Sequence, residues 1–140
     1  MTETGGKQTF VGSSADLRYA HHMAITRERL AGELEGEIAA VADVNVRGSV
    51  EGILIEPVLM SCAWDYGILG ETYSCWKVAE DKGRGVGIVR CEQGFGPRTP
   101  WGLVWLHQTT PSMGQDSGWF ATFREAAADI LELPPASLNV

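Results

Sequence analysis

No stretch of this 140-residue chain approaches the roughly 18 consecutive apolar residues that a membrane-spanning helix requires. The opening, Met1 to Gln8, is polar and lacks the basic-then-apolar order of a secretory leader, so a cytoplasmic location and no membrane partner are expected. Basic residues are scarce: 11 Lys and Arg face 18 Asp and Glu, a formal charge of −7. Such a balance opposes binding to nucleic acid, where phosphate neutralisation supplies most of the affinity. Cysteine is also sparse, and an odd count of 3 cannot pair fully within one chain, so thiols are expected. Cys62, Cys75 and Cys91 show no C-x-x-C spacing, no H-E-x-x-H motif occurs, and only His21, His22 and His107 could complete a ligand set. The expectation is therefore no metal and no cofactor. Repeats and low-complexity tracts are absent as well.

What is present suits one globular domain. An apolar fraction of 44% with 21% charged residues lies far from the composition of disordered chains. A chain of this length buries about two-thirds of its unfolded surface and needs neither disulfide nor metal for a core. Residues 1–12, rich in Gly and Thr, read as a loose arm ahead of a single domain over 13–140. Ser13 with Asp16 reads as a capping box opening a helical segment through Leu17, Ala20 and Ala24, with Thr26 as a break. Leu30, Leu34, Ile38 and Val41 then follow helical spacing, and Glu33 and Glu37 are assigned to the outer face.

Beyond Gly48 the pattern becomes short β-branched and aromatic runs. Four strands are expected: Val50 to Trp64, interrupted at Pro57 as at an edge or bulge; Tyr73 to Glu80; Val86 to Glu92; and Trp101 to His107, central or covered on both sides. A hairpin symmetric about Gly83 would pair Cys75 with Cys91, Trp76 with Arg90 in a cation–π contact, and Val78 with Ile88. Asp116 or Ser117 is expected to cap a last helix carrying Phe120, Phe123, Ala127, Ile130 and Leu131 inward and stopping at Pro134. The fold class is α+β: a four-stranded, mostly antiparallel sheet with the N-terminal helical segment and the C-terminal helix packed on one face.

Catalytic patterns are weak. Ser117 has Gly114 three residues before it and Gly118 one after, the wrong spacing for a nucleophile elbow. Gly83 to Gly87 lacks the Lys-Ser/Thr ending of a phosphate loop and no helix follows it. A cysteine paired with His107 is the remaining nucleophile, set against burial as the default for strand cysteines. The segment Gly94 to Gly102 is more informative, because two prolines and three glycines hold Phe95, Arg98 and Trp101 with little freedom to lose on binding. Trp64 and Tyr66 stand at the end of the first strand, and seven acids between Glu28 and Glu56 include Glu33 and Glu37.

The leading reading is a non-enzymatic domain that masks a basic protein partner, steered by the acidic helix and anchored by a ring such as Trp101. Small acidic inhibitors of the immunity-protein type share this size and charge, an analogy of bulk properties alone. The alternatives are a small-molecule binder or enzyme with Trp64, Trp101 and Trp105 lining a pocket over the sheet, Arg98 holding an anion and Cys62 or Cys91 reactive, and a homodimer joined through its apolar sheet surface.

Overall fold

The computed structural model of the protein describes residues 24–138. The expected arm over 1–12, the Ser13–Asp16 capping box and both His21 and His22 lie outside them. In chain order the elements are α1 (Arg27–Ala39), α2 (Val44–Gly52), β1 (Leu54–Ala63), β2 (Thr72–Asp81), β3 (Val86–Arg90), β4 (Trp101–Trp105), a 3-10 turn (Asp116–Gly118), β5 (Trp119–Phe120), α3 (Phe123–Leu131) and a second 3-10 turn (Pro135–Leu138). The five strands form one antiparallel sheet in sequence order. No helix among the described residues is long and apolar enough to cross a membrane.

At Thr26, the expected break, α1 begins: the Thr26 side chain caps it by accepting a hydrogen bond from the Arg29 N–H at 3.1 Å. Leu30 and Val41 are fully buried, and Leu34 and Ile38 pack against the same core. The following segment corrects the expected strand start at Val50, because Asp43 caps a helix there by accepting from the Asn45 and Val46 N–H groups. Helical spacing turns Val46, Val50 and Ile53 to one side, and that burial outweighs the strand preference of β-branched residues. Arg47 of α2 reaches back to the Val41 carbonyl at 2.6 Å and ties the two helices together.

β1 lies at the sheet edge with a register shift between Leu54 and Val58, as Pro57 implies. In the β2–β3 hairpin Trp76 pairs with Arg90 and Lys77 with Val89, but a bulge then sets Ala79, not Val78, opposite Ile88. The expected cation–π pair is also replaced: Arg90 lies over Trp101 at 5.6 Å, while Arg27 covers Trp76 at 5.8 Å. β4 is not the central strand, since only the two-residue β5 lies beyond it, but it is covered on both sides over most of its length: Trp101 is buried in the cluster on one face and Val104 in that on the other, and Trp105 at its end is exposed.

The fifth strand corrects the reading of the last helix. Asp116 and Ser117 form the 3-10 turn, Phe120 belongs to β5, and the cap is Thr122, in a reciprocal capping box with Glu125. α3 ends at Leu131, where Glu132 adopts the left-handed conformation.

Alternation along the strands sends side chains into two separate clusters. Val78, Ala79, Ile88 and Trp101 join Leu30, Val50, Phe123 and Ile130 on what we term the helix side. Cys62, Cys75, Val89, Cys91 and Val104 join Met113 and Trp119 on the loop side. Gly102 makes the second cluster close-packed: the Trp119 indole lies where a Cβ would stand.

Candidate functional site

Six of the seven residues singled out by sequence divide between two places, and Arg98 belongs to neither. On the loop side, Trp64 follows β1, and the 64–71 loop returns the chain to β2. Trp64 is ringed by Tyr66 at 4.9 Å, Phe95 at 5.0 Å and Tyr73 at 5.9 Å, and Phe95 bridges onward to Trp119 at 5.9 Å. Edge-on and tilted geometries of this kind suit the ring quadrupoles. Gly94, at φ +78°, permits the approach, since a Cβ there would meet both Trp64 and Met113. Hydrogen bonds hold the periphery: Tyr66 Oη donates to the Gly114 carbonyl at 2.9 Å and Trp119 Nε1 to the Met113 carbonyl at 2.7 Å.

The loop is pinned by its own polar groups. One Glu71 carboxylate oxygen accepts from the Ile68 N–H at 3.0 Å and the other from the Tyr73 hydroxyl at 2.6 Å. That bond, with burial and the carboxylate charge adding to it, pushes the Tyr73 hydroxyl up to about 12. Asp65 accepts from the Ser112 hydroxyl, which also accepts from the Gly114 N–H. Yet Tyr66 is 59% exposed, Ile68 79% exposed, and Leu69 fully exposed. Beside them opens a cleft of about 440 Å³ lined by Trp64, Asp65, Ile68, Leu69, Glu71 and Thr110.

Glu33, Glu37 and Trp101 meet elsewhere, around Arg90 on the helix side. Trp101 is only 3% exposed and sits edge-on to Phe123, so the expectation of an open anchor ring at this position is corrected. Glu33 accepts from Arg90 Nε at 2.7 Å and Nη2 at 3.2 Å, and Glu92 from Arg90 Nη1 at 3.1 Å. Glu37 accepts from both the backbone N–H and Nε of Arg124, at 3.1 and 3.2 Å, which places a carboxylate at the start of α3. The two glutamates therefore join α1 to the rest of the molecule instead of forming its outer face. Seven residues make nearly two helical turns, so Glu37 falls only about 20° from Leu30 around the axis. The groove here, about 370 Å³, is floored by this paired network.

Arg98 is exposed on the connection between β3 and β4, with no ion pair among the described residues. Trp64, Trp101 and Trp105 do not share a pocket, since Trp64 packs with the loop-side cluster, Trp101 with the helix-side cluster, and Trp105 is exposed near His107. Ser117 lies in a 3-10 turn, not at a strand-to-helix corner. No cluster able to hold a metal occurs among the described residues.

Sequence reasoning missed Ile68 and Leu69. Their signal was legible: two adjacent apolar residues between Gly67 and Gly70 in a connection where polar residues are the rule. Arg90 was singled out only as a partner for Trp76, because the pairing with Glu33 spans 57 residues. Comparison of the chain with protein-family models, curated proteins and solved structures returns no match.

Proposed function

We propose that this protein is a non-enzymatic recognition domain, resident in the cytoplasm, that binds another protein through its loop-side corner. Ile68 and Leu69 enter an apolar pocket of the partner, and the stacked Trp64, Tyr66 and Phe95 give them a stiff base. The observation that carries this reading is two exposed aliphatic side chains on a loop tied down by Glu71, Tyr66 and Asp65. Aliphatic groups so placed add nothing to the core, while the low freedom of their support limits the entropy lost on binding.

The charge around the corner indicates a cationic rim on the partner. The stretches 61–76 and 107–120 carry Asp65, Glu71 and Asp116 and no Lys or Arg, within a chain of net charge −7. Glu28, Glu35 and Glu51 are exposed on α1 and α2 and add to the field that steers encounter. Masking of a basic surface, as acidic inhibitors perform it, is the mode of action consistent with this arrangement.

The test is capture from the native cell with a photo-reactive group in place of Thr72, comparing wild type with an Ile68→Asp, Leu69→Asp variant. A basic partner held by the wild type, lost from the variant and released as salt rises is the expected result. Undiminished capture by a folded variant overturns the corner as the binding surface.

A second reading has its own observation: Val58 and Leu59 are exposed on the edge strand β1, which suits a two-fold strand-to-strand dimer. Light scattering at dilute concentration decides it, a monomer excluding a stable dimer.

A further inference from the structure

β1 is the outer strand of the sheet, and its free edge is bounded at both ends by groups of this chain. At one end Pro57 has no N–H to offer, and its carbonyl accepts from Arg27 Nη2 at 2.9 Å. At the other, Ala63 turns its backbone away from β2. Its N–H donates to the Pro111 carbonyl at 2.8 Å and its carbonyl accepts from the Met113 N–H at 3.0 Å, a short parallel bridge. Trp64, one residue on, donates inward to the Glu71 carbonyl, and the β1–β2 register is regular from Val58 to Ala63. The two-residue period therefore turns the N–H and C=O groups of Leu59 and Ser61 outward as well, and among the described residues nothing bonds to them.

The side chains around this window are apolar and uncovered. Met60 and Cys62 belong to the loop side, so alternation sends Val58 there and Leu59 to the helix side, and they are 49% and 54% exposed. Edges left to solvent are ordinarily guarded by lysine. Here the stretch 48–76 holds Glu51, Glu56, Asp65 and Glu71 and neither Lys nor Arg.

Unpaired strand backbone is matched by another extended backbone. The window between Pro57 and Ala63 admits about five residues, roughly 16 Å of strand. A second copy gains little from it. Two-fold pairing centred on Met60 sets Leu59 opposite Ser61, but next sets Ala63, whose edge is taken, opposite Pro57, which has no donor. A short segment that enters and leaves at the two ends meets neither obstacle.

We propose that this window docks an extended segment of a partner protein by strand addition. Leu59 and Ser61 supply two N–H donors and two C=O acceptors, and apolar side chains of the segment cover Val58 and Leu59. Lys or Arg in the segment suits the acidic surroundings. The proposal does not rest on what the loop-side corner binds.

The experiment selects a displayed library of random seven-residue peptides against the full chain, then maps the enriched peptides, made synthetically, by amide hydrogen exchange. The expected peptides alternate apolar and polar residues, carry net positive charge, and slow exchange at Leu59 and Ser61 by roughly tenfold or more. Leu59→Lys, at an exposed position, should weaken their binding by roughly tenfold or more, and N-methylation of the peptide amides should abolish it. Ile68→Asp with Leu69→Asp should leave it unchanged, which separates this edge from the corner. A library without enrichment, peptides that protect other amides, or equal binding by Leu59→Lys overturns the proposal. So does protection of the Leu59 and Ser61 amides in the chain alone, as a second copy seated on the edge would give. Circular dichroism checks the folding of Leu59→Lys, and if it fails to fold, the exchange map and the N-methylated peptides decide.

Discussion

Two corners of this molecule hold acids and indole rings, and they treat them in opposite ways. Around Trp101 the charges are matched inside the protein: Arg90 lies between Glu33 and Glu92, Arg29 is near both carboxylates at 3.5 and 3.7 Å, and Arg124 meets Glu37. Around Trp64 the rings touch one another, and Asp65 and Glu71 accept bonds from hydroxyl and amide groups. The first corner is closed on itself. The second is rigid yet leaves the apolar surface of Ile68 and Leu69 facing outward, and such a surface has interaction energy left for a partner.

The contrast can be broken by substitution. The largest effect is expected from Arg90→Ala, which removes the buried guanidinium between Glu33 and Glu92 and leaves them the exposed Arg29; denaturant unfolding should show a loss of about 3 kcal/mol. A loss under 1 kcal/mol would show that water already screens this network. Gly102→Ala tests the loop side, because the new methyl must displace the Trp119 indole; roughly 2 kcal/mol should be lost, with a change in tryptophan fluorescence.

A smaller effect concerns pH. With the Tyr73 pKa raised to about 12 from 10.0, the folded state keeps its proton longer than the unfolded one. The contribution is therefore whole below pH 10 and falls away as pH climbs through 12. Tyr73→Phe should flatten the stability profile in that window. The smallest stability change belongs to Ile68→Asp with Leu69→Asp, within about 0.5 kcal/mol, since both residues are exposed. Their measurable effect should instead be on binding.

Local signals located much of the fold. Pro57 indicates an edge strand with a shifted register, Gly83 and Gly85 indicate the hairpin turn, and Thr122 with Glu125 spells the capping box that opens α3. That last signature was legible and was passed over for Asp116, which moved the helix start and concealed β5. Asp43 was likewise readable as a cap. The bulge at Val78 was not, since whether Val78 or Ala79 faces Ile88 depends on what packs beneath them. Nor was the fate of Arg90 and Arg124, whose carboxylate partners lie 57 and 87 residues away along the chain.

Composition and periodicity alone set the α+β class, the net acidity, the helix and strand repeats and the hairpin between β2 and β3, because each follows from interactions over a few residues or from simple sums. Which acids are neutralised, which indole is enclosed and how three scattered thiols come together were decided only in the folded state. Those outcomes depend on contacts between distant segments, and the same Glu is a solvated charge or an internal tie according to the side chain that reaches it.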